Sequence, residues 1–386
     1  MKLQPRGKTA GFTLIELMIA MGVTMVLLYA AVSLFRDASQ SNQIVSQASD
    51  LSDNLRAGLN LIQLDLQQVG SGITTQNASI PIPFTAPCGT TPRINRPALG
   101  GASTFPYPGA PCESSIPAIE PGNAMGPAIT APDAIAGTPA NPNSITDEVT
   151  MLYADNTAGL DGKPVNQPAT PGPPANPGCP NGSITLNGTT LTVTFDVTCV
   201  NISSTTAGNL ITINPGDLIM FSNNKGTALL CVTGVAGQTL TFKAGDPFNL
   251  NGRAETGGTI NYLESGGVFP TTLATRIWMI SYYLDNVTAP PYTRLIRQVN
   301  FNTPMPVGET LENLQFTYNF IDGVTNPANQ PTVPLGNSES NIRSVNVYLG
   351  ARSNYAVHEG NETVYARSNL MTQVSLRSLA YVNRYQ

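Results

Sequence analysis

The stretch that decides the fold is residues 6–20, RGKTAGFTLIELMIA. A basic stub leads into glycine and phenylalanine, and one carboxylate, Glu16, then stands alone in an apolar run from Phe12 to Phe35. This run contains no proline, and its length meets the roughly 20 residues that a helix needs to cross the hydrocarbon core of a bilayer. The sequence therefore predicts a membrane-spanning helix near the N-terminus.

The basic stub and the length of the run distinguish this helix from a secretory signal peptide. Lys2, Arg6 and Lys8 precede the run without any acidic residue, so this end of the helix should stay cytoplasmic. A signal peptide has an apolar stretch of roughly 7–15 residues, with small residues after it. Here the stretch is longer and the small residue, Gly11, precedes it. An ordinary membrane anchor is a second alternative, but it leaves Glu16 unexplained.

Glu16 needs a partner if it lies in the bilayer. A carboxylate at membrane depth costs about 2.5–3.5 kcal/mol even on the forgiving insertion scale. Cleavage between Gly11 and Phe12 would create a new α-amino group, and its pKa of roughly 8 would make it cationic at neutral pH. Pairing with Glu16 of a neighbouring subunit would stabilise a bundle of helices and fix their axial stagger. We therefore predict that Glu16 acts in assembly.

The segment GFTLIELMIA (11–20) resembles the processing and methylation signal of type IV prepilins and of type II secretion pseudopilins. The resemblance implies cleavage after Gly11 by prepilin peptidase and N-methylation of Phe12. It also implies that Glu16, fifth in the mature chain, aligns the subunit during polymerisation. The apolar run departs from many major pilins because it lacks a helix-kinking proline. Gly22 and Gly58 are the obvious weak points of the predicted helix.

Helical periodicity continues beyond Arg36. Apolar residues recur every three or four positions, as in one face of an α-helix: Ile44, Ala48, Leu51, Leu55, Leu59, Ile62, Leu66 and Val69. The pattern ends at the sequence GSG (70–72), a plausible helix stop. We predict one helix from Phe12 to Val69, in which 12–35 lies in the membrane or filament core and 36–70 packs one stripe against a globular domain.

Residues 71–180 are rich in proline and predict sparse regular structure. Proline breaks helices and removes ladder donors from sheets. The exception is DEVTMLYAD (147–155), whose alternation and turn residues predict a strand. The remainder is expected to form long surface loops, which in an exported fibre component would be free to contact partner subunits or an external surface.

Strand signals recur at short intervals in residues 181–386. SITLNGTTLTVTF (183–195) predicts a hairpin with Asn187-Gly188 as its turn, and eight further segments predict a succession of antiparallel strands. The predicted fold class is therefore α+β: a long N-terminal helix, transmembrane in its first half, packed on an antiparallel β-sheet head. The head carries the proline-rich segment as an insertion, and residues 1–11 are a leader that is cleaved off.

Three segments of the C-terminal part resemble PilW-type minor pilins: LENLQFTYNF (311–320), IRSVNVYLGARS (342–353) and TQVSLRS (372–378). This resemblance implies a pilin-like fold and a minor subunit that joins other minor pilins in a complex that primes filament growth and ends at or near the tip. It implies the major pilin, prepilin peptidase and an inner-membrane assembly platform as partners. It also implies an inner-membrane location with a periplasmic head, before transfer to the pilus at the cell surface.

Two other functions are compatible with the same sequence. A minor pseudopilin of a type II secretion system would share every feature of the N-terminus. A pilus-tip adhesin would act through the loops of 71–180.

The five cysteines are typical of a protein in an oxidising compartment, and because their number is odd, one thiol has no disulfide partner within the chain. If Asn187 and Gly188 form the hairpin turn, Cys179 falls opposite residue 196, close to Cys199. Cys88 and Cys112 bracket a proline-rich loop and are the second predicted pair. Cys231 would then be a buried thiol, although a Cys199–Cys231 bridge is the main alternative.

Composition argues against nucleic-acid binding and catalysis. The net charge is −5 with only 11% charged residues, so no basic stripe is available for phosphates. His358 is the only histidine and lies in a polar segment, and no Cys-x-x-Cys occurs. We therefore predict no catalytic residues, no metal site and no cofactor.

Overall fold

The computed structural model describes residues 11, 13–73, 75, 78–81, 94–105, 115–129, 145–155, 159–160, 162–166, 178–188, 190–202, 212–251, 263–286, 293–321, 339–354, 357–359 and 362–382. The chain divides into two compact units. The first comprises Met1–Leu51 with Ser353–Ala366, and the second comprises Ser52–Arg352 with Arg367–Gln386.

Two α-helices and twenty-one strands lie in the described residues. The helices are α1 (Leu14–Gln68) and α2 (Arg377–Val382). The strands are β1 (Ile80–Pro81), β2 (Ile94–Ala98), β3 (Gly101–Phe105), β4 (Ser115–Ile116), β5 (Ile119–Gly122), β6 (Glu148–Ala154), β7 (Lys163–Pro164), β8 (Ser183–Asn187), β9 (Thr190–Thr194), β10 (Leu218–Asn223), β11 (Gly226–Cys231), β12 (Gly234–Ala236), β13 (Thr239–Phe242), β14 (Leu273–Asp285), β15 (Arg294–Val299), β16 (Met305–Glu309), β17 (Leu311–Phe320), β18 (Ile342–Arg352), β19 (Val357–Glu359), β20 (Glu362–Val364) and β21 (Arg367–Ser375).

Helix α1 is continuous over 55 residues and changes its environment along its length. Its first part is exposed throughout, whereas Leu55, Ile62, Leu66 and Val69 in the second unit are fully buried. These buried residues are spaced by three, four and seven, so they lie on one face of the helix. The helix ends before Gly70, which has a φ of 74°, a left-handed conformation that glycine adopts without strain. The long helix predicted from the periodicity is therefore present.

The helix packs on an eight-stranded sheet in the second unit. The thirteen-residue strand β14 is its centre. Strands β10 and β15 both pair with β14, and the sheet continues with β11 next to β10 and β16 next to β15. Strands β6 and β7 also pair with β14, and β5 pairs with β6. Every pairing is antiparallel. The α+β architecture predicted from the sequence, a long helix followed by a β-rich head, is confirmed.

Two smaller sheets extend the head. One has the strand order β12-β13-β9-β8, and its inner face shares a core with the large sheet. In that core Phe242 meets Phe221 edge to face at 5.5 Å between ring centroids. The other has the order β17-β18-β21. In the first unit, β19 and β20 form a short hairpin.

The prediction of a single strand in residues 71–180 is wrong. Strand β6 coincides with the predicted segment, but the structure has six others there, β1–β5 and β7. Proline was taken as evidence against strands, yet Pro81, Pro97, Pro121 and Pro164 all lie in two-stranded ribbons or in edge strands. At such positions the missing N–H of proline faces away from the ladder and removes no hydrogen bond.

Two further predictions need correction. The last of the eight further strand segments predicted from the sequence is TQVSLRSLAYV (372–382), but β21 ends at Ser375 and α2 follows. In the hairpin, Asn187 pairs with Thr190, so the turn begins one residue later than predicted. Gly188 has a φ of 60° and Asn187 stays extended, because glycine tolerates the left-handed conformation better than asparagine.

Candidate functional site

Gly11 lies at the start of the described chain and is exposed. A side chain at this position would meet no atom within 4 Å. Helix α1 begins three residues later, at Leu14, so the peptide bond after Gly11 precedes the helix. Phe12, the other residue of the predicted cleavage site, lies outside the described residues.

Glu16 caps its own helix. Its Oε2 atom accepts a hydrogen bond from the Thr13 backbone N–H and another from the Thr13 hydroxyl, both at 3.0 Å. The Glu16 backbone N–H donates to Thr13 Oγ1 at 3.4 Å. This reciprocal arrangement is a capping box, which satisfies donors that a helix N-terminus otherwise leaves free. Among the described residues nothing donates to Oε1 of Glu16, so one carboxylate oxygen remains available to a partner.

The first part of α1 is adapted to an apolar environment. Of the helices in the described chain, it alone is long and apolar enough to cross a bilayer, with a mean hydropathy of 2.2 in an 18-residue window of which 0% is buried. Thr24 donates its hydroxyl to the Ala20 carbonyl at 2.7 Å, and Ser33 donates to Ala30 at 2.9 Å. The hydroxyls thus bond within the helix, as an environment without water requires.

Asp65 joins the second part of α1 to the sheet. Its carboxylate accepts two hydrogen bonds from the Arg297 guanidinium, at 2.7 and 3.1 Å. It also accepts the hydroxyls of Tyr153 at 3.0 Å and Tyr282 at 2.6 Å. Burial, and then the neighbouring Asp65 carboxylate, raise the pKa of both tyrosines, so they remain donors. Sequence reasoning missed this site, although Asp65 stands three residues from Ile62 and four from Val69 on the buried stripe.

Asp147 joins the large sheet to the three-stranded sheet. Its Oδ2 atom accepts the Phe316 N–H at 2.8 Å, and its Oδ1 atom accepts the Ala124 N–H at 2.8 Å. Its own N–H donates to the Leu314 carbonyl at 2.9 Å. Burial outweighs these hydrogen bonds and raises the pKa of Asp147 to about 6.

A disulfide joins Cys179 to Cys199, the pair expected from the hairpin, with an S–S distance of 2.02 Å. The alternative bridge from Cys199 to Cys231 is therefore not formed. Cys231 is a free, buried thiol, and burial raises its pKa far above the ordinary value. The predicted pair Cys88–Cys112 lies outside the described residues.

A metal ion requires several ligating side chains placed close together. The described side chains include no group of three or more histidine, cysteine or acidic residues placed to hold a metal ion. His358 lies in β19, a three-residue strand of the hairpin in the first unit.

Comparisons with known proteins agree with the N-terminal geometry. A family model described as "Prokaryotic N-terminal methylation motif" matches residues 6–32. Pilin-like protein PilA3 of Thermus thermophilus is 33% identical over 78 residues, which cover 19% of this chain and 34% of that protein. The chain thus spans about a third of the curated relative that it matches. The solved type IV-like pilin TTHA1219 from Thermus thermophilus is 13% identical, with a TM-score of 0.16 over 43% of this chain and 87% of that one.

These observations characterise the chain. A methylation motif, an exposed apolar helix with a capped glutamate at its start and a β-rich head follow one another along the chain. The chain carries a prepilin-type N-terminal methylation motif and is similar over part of its length to a pilin-like protein.

Proposed function

We propose that this protein is a minor pilin of a type IV pilus, of the PilW type, that takes part in starting assembly and lies at or near the tip. The observation that carries the proposal is the processing motif in front of an apolar helical run in which Glu16 is the one carboxylate. The apolar residues around it are exposed, so this part of the helix requires lipid or other helices around it.

The assembly step follows from charge. Prepilin peptidase would cut after Gly11, and the new amine of Phe12 would be N-methylated and cationic. Glu16 can serve two partners at once, because Thr13 occupies Oε2 while Oε1 is left to the amine of a neighbouring subunit. In a low-dielectric core either charge is costly to leave unpaired, so the ion pair would fix the axial position of one helix relative to the next.

The domain organisation is proposed on the same basis. Residues 1–11 form the leader, 12–35 the membrane or filament-core helix and 36–70 its continuation. The insertion 71–180 and the pilin head 181–386 follow, in the periplasm before assembly. The partners are other minor pilins, the major pilin, prepilin peptidase and the inner-membrane assembly platform. A head this large favours a subunit used in few copies, because a larger head is harder to repeat around closely spaced helices.

Glu16→Ala in the native host tests the pairing step. Cleavage after Gly11 should proceed normally, whereas recovery of the protein in sheared filaments should fall about tenfold or more, because a buried amine would be left unpaired. Asp37→Ala is the matched control, since Asp37 is exposed on the same helix beyond the apolar run. Normal recovery of Glu16→Ala in filaments would refute the pairing step.

A type II secretion pseudopilin would share the N-terminal signal, and the phenotype of a gene deletion distinguishes it from a minor pilin. Deletion of the gene should abolish piliation and leave type II secretion intact. Loss of secretion with normal piliation would assign the protein to the secretion system instead.

Deletion of the 71–180 loops tests the adhesin alternative. Loss of attachment with normal piliation would favour an adhesin.

A further inference from the structure

Strand β21 forms an open edge of the three-stranded sheet. Its nine residues pair with β18 without a register shift, from Arg367 opposite Arg352 to Ser375 opposite Ser344. Six of the nine residues are exposed, and five of these are the odd-numbered residues of one face. Met371 is the most exposed large apolar residue of this sheet, at 71%. Between Arg367 and Arg377 the sequence SNLMTQVSL carries no charge and no proline.

The register fixes which main-chain groups of β21 face outward. Leu376 donates its N–H to the Arg343 carbonyl at 2.8 Å, and Ser353 donates its N–H to the Ala366 carbonyl at 2.7 Å. Opposite residues of an antiparallel pair alternate between those that exchange hydrogen bonds and those that do not. Even-numbered residues of β21 therefore bond to β18. The N–H and C=O groups of residues 369, 371, 373 and 375 point away from the sheet, and no hydrogen bond joins them to other described residues.

Several other edges of the head are protected against pairing. Strand β16 contains Pro306 and Glu309 and has a register shift against β15. Strand β5 contains Glu120 and Pro121, and β7 has two residues. The edge of β17 is occupied by the hydrogen bonds to Asp147. Prolines, charges, bulges and short length are the usual means by which edge strands avoid pairing, and β21 has none of them between its two ends.

We propose that the edge of β21 binds an extended, uncharged strand in the head of a neighbouring filament subunit, by addition of that strand to the sheet. Outward N–H and C=O groups recur along β21 about every 6.7 Å, a spacing that another main chain matches. Met371 would supply an apolar contact beside the new ladder, as flexible methionines do at binding surfaces. The partner is taken to be a different subunit because a minor pilin is present in few copies; this step rests on the proposed function.

A proline scan of the outward positions tests the proposal in the full chain. Met371→Pro removes an outward N–H and leaves the bonds between β21 and β18 in place. Met371→Thr is the matched control, since it shortens the same side chain and keeps the N–H. Met371→Lys is a second test that requires no backbone change, because a lysine on an exposed edge blocks pairing. Resistance of each head to protease reports whether it is folded.

The readout is a photo-crosslinking amino acid at Asn369, used in the native host, with the adduct identified by mass spectrometry. The expected adduct is another chain with a prepilin-type signal, reduced about tenfold by Met371→Pro and Met371→Lys and little changed by Met371→Thr. No adduct, an adduct insensitive to both variants, a second copy of this chain or a protein without such a signal would each overturn the proposal. Recovery of the parent protein in sheared filaments tests the proposed function separately, so the two can fail independently.

Discussion

Asp65 and its partners show how a single carboxylate can position the helix on the head. Four hydrogen bonds from three side chains of β6, β14 and β15 converge on it. A buried ion pair adds little net stability compared with an apolar contact, but its removal leaves an uncompensated charge. Asp65 therefore fixes the rotation and axial position of α1 relative to the sheet.

Asp65→Asn should destabilise the head by about 3–5 kcal/mol, because Arg297 would lose its charge partner in a buried site. Thermal or denaturant unfolding of the full chain in detergent measures the effect. Asp53→Asn, an exposed substitution on the same helix, should change the free energy of unfolding by less than about 0.5 kcal/mol. Equal effects of the two variants would show that Asp65 does not anchor the helix.

Asp147 should make stability depend on pH. Its pKa is about 6 in the folded protein and 3.8 in the reference state, so the folded state binds the proton more tightly. Its contribution is fully present below pH 3.8 and is lost as the pH rises towards 6, a change of about 3 kcal/mol. Tyr318, Glu120 and Arg96 also interact in this region.

The comparison with Asp147→Asn isolates this titration, because the other buried acids are present in both proteins. The free energy of unfolding of the parent chain, minus that of the variant, should fall by about 2.4 kcal/mol between pH 4 and pH 7. The measurement is denaturant unfolding in detergent at intervals of pH. A difference that is constant or rises over this range would contradict the assignment.

At the scale of elements, the two parts of α1 differ in what covers their apolar residues. Its first part leaves apolar residues for lipid or neighbouring helices, and its second part buries a stripe against the sheet. Gly58 lies where the second part packs closely on the head, since a Cβ atom there would be 2.9 Å from Leu295 Cδ2 and 3.4 Å from Leu349 Cδ2. The sequence suggested Gly58 as a weak point of the helix, and the structure assigns it to close packing.

Gly58→Val should therefore lower the free energy of unfolding of the full chain by about 1–3 kcal/mol through overpacking against β15 and β18. Ala57→Val tests the intrinsic effect of a β-branched residue at the neighbouring exposed position, where about 0.5 kcal/mol is expected. A Gly58→Val chain that unfolds at the same denaturant concentration as the Ala57→Val chain would contradict the close packing.

The elements that the sequence predicted are those with strong local periodicity. The apolar stripe of α1, the apolar runs of β10, β14 and β15 and the alternation in β17 were sufficient to predict a helix and an antiparallel sheet. Strands β1, β4, β5 and β7 were missed because their partners are distant in sequence. Strands β2 and β3 form a hairpin that was missed because the surrounding prolines suppress the local signal. Asp65 was missed for a related reason: a polar residue on a buried face has meaning only when its partners, Arg297 and Tyr282, are known.

At the scale of the whole molecule, the chain has an apolar helical segment and a head with its own cores. The head contains at least one core away from α1, between the sheet β12-β13-β9-β8 and the large sheet. Cys179–Cys199 closes a loop at the side of that core, consistent with a protein that folds in an oxidising compartment. Only 11% of the residues are charged and the net charge is −5. We therefore expect shape and main-chain contacts, more than charge, to determine which partners bind.

The most direct test is the N-terminal residue of the protein isolated from its native host. N-terminal sequencing with intact mass should find a chain that begins at Phe12 and carries one methyl group on its amine. Such a chain has the cationic terminus that the pairing with Glu16 requires. A chain that still begins at Met1 would contradict the account, because no new amine would then exist for Glu16 to bind.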